Sequence, residues 1–182
     1  MADIWIITGK QNSGKTVMIL EIIDHARKGN IPICGLISPG VYENNVRISI
    51  QVVDIESMES KILADLKPGW DPNNTNKKWK MRDGTIKWGS EQLQRMNVKG
   101  KIFFLDELGV YELLERKGWQ AGLKIIKEKD YLHAVIAVRK DVLNRVIKIC
   151  EKEKINYELI DLDVLSKPEK VIIQEIYKKL LK

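Results

Sequence analysis

The octet Gly9-Lys10-Gln11-Asn12-Ser13-Gly14-Lys15-Thr16 constrains this 182-residue chain more than any other segment, because of what flanks it. Before it runs Ile4-Trp5-Ile6-Ile7, a short apolar stretch rich in β-branched residues that reads as a strand buried on both faces. After it Val17, Leu20, Ile23 and Ala26 recur at helical spacing until Gly29 stops the pattern. A strand, a turn of the form Gly, four residues, Gly-Lys-Thr, and a helix make a cradle for a chain of phosphates. Such an anion needs many donors at short range with no large side chain in the way. The loop's backbone N–H groups and the helix N-terminus supply them, with about half a positive charge from the helix dipole. Gly9, Lys10, Gln11, Asn12, Ser13, Gly14, Lys15 and Thr16 are therefore expected to bind a nucleotide. Lys15 is expected to reach the β- and γ-phosphates as a catalytic cation, and Thr16 to place its hydroxyl on Mg²⁺.

The run Ile102-Phe103-Phe104-Leu105-Asp106-Glu107 is an apolar strand ending in two carboxylates, which supplies the second half of such a site. Asp106 would hold Mg²⁺ through a water, and Glu107 could polarise the water that attacks the γ-phosphorus. Arg139 follows the apolar run Ala134–Val138, at the sheet end where open α/β folds bind ligands, and is a candidate for neutralising transition-state charge. His25 and His133 read as a helix-surface and a strand-entry residue.

On these motifs the chain resembles the thermophile-type nucleoside-triphosphatases, a family whose human member is described as cancer-related. The resemblance rests on Thr8-Gly9 through Thr16, on the pairing of Gly35-Leu36-Ile37-Ser38 with Val52-Val53-Asp54, and on Leu105 through Leu113. In that family the last segment runs Asp-Glu-Ile-Gly, two residues, Glu-Leu, so Asp106, Glu107, Gly109, Glu112 and Leu113 match position by position. The resemblance implies a phosphate-loop (P-loop) NTPase fold and Mg²⁺-dependent hydrolysis of ATP, GTP or similar nucleotides to the diphosphate and phosphate, with loose base selectivity. Two departures stand out. The family usually has glycine where this chain has Asn12, a residue that still tolerates positive φ, and the stretch from Lys67 to Lys80 does not align with the family's pattern.

The rest of the chain fits an α/β class: one domain over residues 1–182, three layers, a mainly parallel sheet flanked by helices, and β-hairpin insertions. Val46, Ile48, Ile50 and Val52 alternate with Arg47, Ser49 and Gln51 after an Asn44-Asn45 turn, which predicts one hairpin. Asp83-Gly84 predicts a second, with Trp79, Met81, Ile86 and Trp88 on an apolar face and Lys80, Arg82, Thr85 and Lys87 on a basic one. Between them Lys67–Asn76 reads as a mobile connection or a lid bearing Trp70. Helical patterns start at Glu112 and Asp141, Tyr157–Ile160 reads as the last strand, and Ser166-Lys167-Pro168-Glu169 opens a C-terminal helix.

Composition narrows the setting. The longest apolar run, Ala134–Val138, is far shorter than the ~20 residues of a membrane span, and Met1-Ala2-Asp3 lacks the basic start of a signal peptide. A cytoplasmic protein without membrane contact, acting as a monomer, is the expectation. Cys34 and Cys150 read as buried reduced thiols. The formal charge of +6 would suit a polyanion, but the basic hairpin face carries no aromatic for base stacking, so nucleic acid is a disfavoured partner. Two other functions stay open: a kinase holding its acceptor near Trp70, and a nucleotide-switched binding module.

Overall fold

The computed structural model describes residues 3–70, 78–114 and 117–180. Strand β1 (Ile4–Thr8) leads into helix α1 (Lys15–Lys28), which ends at Gly29 as the pattern predicts. There follow β2 (Ile33–Ile37), β3 (Gly40–Glu43), β4 (Val46–Asp54), β5 (Ser60–Leu66), β6 (Trp79–Met81) and α2 (Asp83–Arg95). The second half runs β7 (Ile102–Leu108), α3 (Val110–Leu113), α4 (Gln120–Glu128), β8 (His133–Val138), a 3₁₀ turn (Lys140–Val142), α5 (Leu143–Lys152), β9 (Tyr157–Asp161) and α6 (Glu169–Leu180).

Among the described residues the strands form one sheet in the order β6-β5-β4-β2-β7-β8-β1-β9, with β3 beside β4. The half from β2 to β9 is parallel. The half from β4 to β6 is antiparallel and continues the same sheet through β2, so the sheet is mixed rather than mainly parallel. Its parallel strands are apolar without alternation because both faces are covered. Ile4, Ile6, Phe103, Leu105, Ala134 and Ile136 pack toward the α2, α4 and α5 side, with Trp88, Leu93, Leu123, Ile126 and Val146. Trp5, Ile7, Ile102, Phe104, Val135 and Ala137 pack toward α1 and α6, against Met18, Ile19, Ile22, Ile173 and Ile176.

The Asn44-Asn45 turn forms, with φ of 47° and 63°, and joins β3 to β4. The hairpin expected at Asp83-Gly84 does not. Trp79–Met81 pairs with Ala64–Leu66 instead, and Asp83 opens helix α2. The buried positions Thr85, Trp88, Gly89 and Leu93 follow a helical period, and the Asp-Gly turn signal had masked it. The basic face is lost with the hairpin: Arg82 is locked onto Asp65 by two hydrogen bonds of 2.7 and 2.9 Å, Lys80 pairs across from Asp65, and Lys87 lies on the outside of α2. Of the expected loop, Lys67 N–H bonds Lys78 O at 3.1 Å and Lys78 stands 4.3 Å from the centre of the Trp70 ring, whereas residues 71–77 lie outside the described set.

His25 lies on α1 beside Tyr177, and His133 opens β8 with its ring edge-on to Trp5. Both cysteines are reduced and buried, and burial pushes the thiol of Cys34 up to about 12 and that of Cys150 to about 11. Among the described residues no helix is long and apolar enough to cross a membrane.

Candidate active site

The phosphate loop is pinned from both sides of β1. Thr8 Oγ1 donates to Val138 O of β8 at 2.9 Å, and Leu162 N–H, just past β9, donates to Thr8 O at 2.9 Å. Lys10 N–H donates to both carboxylate oxygens of Asp163, at 3.1 and 3.2 Å. Asp163 in turn meets Lys140 Nζ at 2.6 Å, and this ammonium with the Lys10 N–H holds its carboxyl below the usual range. Inside the loop Asn12 and Gly14 take positive φ, 63° and 97°, so Asn12 adopts a left-handed backbone at the modest strain asparagine tolerates. Met18 N–H then donates to Gly14 O at 2.9 Å and begins the helix. Lys15 is buried, 6% exposed, and its ammonium donates to Gly9 O and Lys10 O at 3.1 and 2.9 Å, which places the charge inside the arc of the loop.

The tip of β7 faces that arc. Asp106 is 1% exposed. Ser38, at the end of β2, holds it doubly: Ser38 N–H donates to Asp106 Oδ2 at 3.2 Å and Ser38 Oγ donates to Asp106 O at 2.7 Å. Burial raises the proton affinity of this carboxyl, while the Thr16 hydroxyl, the Ser38 N–H and the charge of Lys15 pull it back. Among the described residues Asp106 Oδ1 has no hydrogen-bond partner although it is out of contact with solvent. A buried carboxylate oxygen without a donor, opposite a threonine hydroxyl beside a phosphate cradle, fits a hard divalent cation. Mg²⁺ characteristically takes one or two carboxylate ligands together with substrate phosphates.

Glu107 is half-buried next to it. Burial raises its proton affinity and the neighbouring Asp106 adds to this, against the opposing charges of Lys15, Arg139 and Arg47. Arg139 stands at the end of β8, its stem over Gly109, where a Cβ would come 3.2 Å from Arg139 Cδ. Its guanidinium is half-exposed and engages Asp141 in two bonds of 2.6 and 3.2 Å. Glu112 is buried and accepts from Gly109 N–H at 3.1 Å and Trp119 N–H at 3.4 Å, which ties the turn after β7 in place. The segment shared with the related family therefore unites two carboxylates that face the loop and one that braces them.

Sequence reasoning missed three contributors. Ser38 sits in a segment already noticed for its resemblance, yet nothing in an isolated serine signals that it orients a carboxylate 68 residues away. Asp163 follows the last strand by two residues, and its bond to Lys10 spans 153 positions. Arg47 was read only as the polar side of an alternating strand.

A phosphate loop at the end of β1, backed by an Asp-Glu pair on β7 in a helix-flanked α/β sheet, defines a P-loop nucleotide-binding protein. A sequence model of the family described as NTPase matches residues 4–175, so the chain belongs to that family and is a nucleoside-triphosphatase. It is 28% identical over 159 residues to the nucleoside-triphosphatase THEP1 of Saccharolobus solfataricus, covering 85% of this chain and 89% of that one. Its fold is shared with a human cancer-related nucleoside triphosphatase (TM-score 0.72, 16% identity, 98% and 97% of the two chains). THEP1 from Aquifex aeolicus is similar too (TM-score 0.67, 20% identity, 98% and 99%).

Proposed function

We propose that the protein is a Mg²⁺-dependent hydrolase of ATP, GTP and similar nucleotides, releasing the diphosphate and inorganic phosphate. The observation that carries this reading is the placement of Glu107 beside Asp106 at the opening of the phosphate loop, where burial makes it a better proton acceptor than an exposed glutamate. The N–H groups of residues 9–16 and the Lys15 ammonium bind the phosphates. Mg²⁺, held by the Thr16 hydroxyl and Asp106, would neutralise charge building on the phosphate oxygens. Glu107 takes the proton of the attacking water as its oxygen bonds to the γ-phosphorus; the bond to the bridging oxygen breaks and its electron pair leaves with the diphosphate. Arg139 adds positive charge near Glu107 from the β8 side. Loose base selectivity follows the family resemblance, not a residue of this site.

The test is product analysis with γ-labelled ATP and GTP plus Mg²⁺. Free phosphate is expected without any acceptor, and Lys15→Ala should abolish nucleotide binding while its unfolding temperature stays within a few degrees of wild type. Label that moved only onto an added acceptor hydroxyl would make the protein a kinase and remove the hydrolytic role of Glu107.

A pH profile follows from the same residue. Glu107 must be ionised to accept a proton, and its proton affinity is raised. The acid limb of kcat/KM is therefore expected above the ordinary glutamate range, and Glu107→Gln should flatten it. An acid limb at the value of an exposed glutamate, unchanged in that variant, would assign proton transfer elsewhere.

A further inference from the structure

The antiparallel half of the sheet carries a cation that the mechanism above does not use. Arg47 projects from β4 across the start of β3, where a Cβ on Gly40 would lie 2.5 Å from Arg47 Nε. Gly40 is two residues beyond Ser38, the residue that holds Asp106. The Arg47 guanidinium lies over the Trp79 ring of β6, 5.4 Å from its centre. Its Nε is shielded from solvent and has no hydrogen-bond partner among the described residues, and the side chain enters none of the ion pairs found there. The other arginines near this sheet are neutralised differently, Arg82 by Asp65 and Arg139 by Asp141.

A desolvated donor on a permanent cation, left without an acceptor, is a costly arrangement unless an anion completes it. No carboxylate among the described residues completes it. Gly40, on which Arg47 packs, lies two residues beyond Ser38, and Ser38 holds Asp106 at the mouth of the phosphate loop, so the anion belongs at that mouth. In a phosphate-loop protein that space belongs to the end of the phosphate chain farthest from the base.

Resting on the hydrolytic reading of this site, we propose that Arg47 is a further catalytic residue, which grips the terminal phosphoryl group of the triphosphate from the side opposite Arg139. Trp79 is its positioning residue, fixing the guanidinium plane by stacking. Arginine suits the task because its planar fork donates to two phosphoryl oxygens at once. The contact is made to the γ-phosphate and lost with it, so Arg47 distinguishes triphosphate from diphosphate and strengthens as charge spreads over the equatorial oxygens. The strands β3 to β6 then serve to carry a charge to the reacting centre.

The experiment compares wild type with Arg47→Ala, Arg47→Lys, Trp79→Ala and Trp79→Phe in calorimetric binding of ADP, of ADP with aluminium fluoride and of a non-hydrolysable triphosphate, alongside phosphate release. Arg47→Ala is expected to bind ADP within about twofold of wild type, to lose the extra affinity for the fluoride complex, and to lose about 10²- to 10³-fold in kcat. Arg47→Lys should recover little of this, Trp79→Ala should lower kcat with KM nearly unchanged, and Trp79→Phe should recover most of it. If the alanine variant fails to fold, Arg47→Gln keeps the stem over Gly40 and is read the same way. Equal weakening of ADP and the fluoride complex, or a folded Arg47→Ala variant with kcat within about threefold of wild type, overturns the proposal. Wild-type protein that binds nucleotide but releases no phosphate overturns the hydrolytic reading instead, and the preference for the triphosphate analogue over ADP still decides the role of Arg47.

Discussion

Gly35→Ala is expected to destabilise the protein by about 4 kcal/mol or more, at the extreme of single substitutions. Gly35 sits in β2 opposite Phe104 of β7 with φ at +135°, a backbone that side-chain-bearing residues rarely adopt. A Cβ there would meet the Phe104 carbonyl oxygen at 1.9 Å, its carbon at 2.7 Å and the Phe104 nitrogen at 2.8 Å. All three are backbone atoms of a strand buried on both faces, so no flexible side chain can yield and the two strands must part. That separation also displaces Ser38 from Asp106, so nucleotide affinity should fall with stability. Gly84→Ala is the control: nothing lies within 4 Å of its added carbon, which falls in the first turn of α2, and it should stabilise by roughly 0.5 kcal/mol. Urea unfolding of both variants checks this. Equal midpoints would show that β2 and β7 can shift apart without penalty.

Glu107→Gln is expected to lower kcat by about 10²- to 10⁴-fold with KM within about threefold, since the amide keeps the size of the side chain but cannot accept the proton. The same variant should be more thermostable than wild type at neutral pH. The folded protein holds the Glu107 proton more tightly than the unfolded chain does. The stability this residue contributes is therefore fully present below the ordinary glutamate range and is lost as the pH rises through the higher folded value. At pH 7 the ionised, half-buried carboxylate is a burden that glutamine lacks, and the gain should vanish toward pH 4. Thermal unfolding of nucleotide-free protein across that range reads it directly. A variant with reduced kcat and reduced stability at pH 7 would mean that Glu107 braces the site and does not serve as its base.

How legible all this was in the sequence depended on the range of the determinants. The strand Ile4–Ile7, the phosphate loop and helix α1 are local, and periodicity with glycine placement located them correctly. The pair Asp106-Glu107 was legible because an apolar strand ends at it. The region after residue 78 misled, because Asp83-Gly84 carries a strong turn signal while the burial of Trp88 and Leu93 that decides for a helix comes from the packing of α2 against the sheet. Tertiary burial overrode a local preference there. The brace from Ser38, the Asp163 pin and the unsatisfied Arg47 were invisible for one shared reason: each is defined by a partner, or by the lack of one, far away in the chain.

The placement of β1 between β8 and β9 sets an order on assembly. Once synthesised, β1 has no neighbour in the sheet until residues 133–138 and 157–161 exist. At typical translation rates that wait is on the order of ten seconds. Until β8 is made the loop of residues 9–16 lacks the Val138 carbonyl, and until the chain passes β9 it lacks the Asp163 carboxylate, the two groups that fix its entry. A growing or truncated chain ending before β9 therefore holds the phosphate-binding sequence without its shape. Nucleotide capture is in this way tied to residues 138–163 as firmly as to the motif at 9–16.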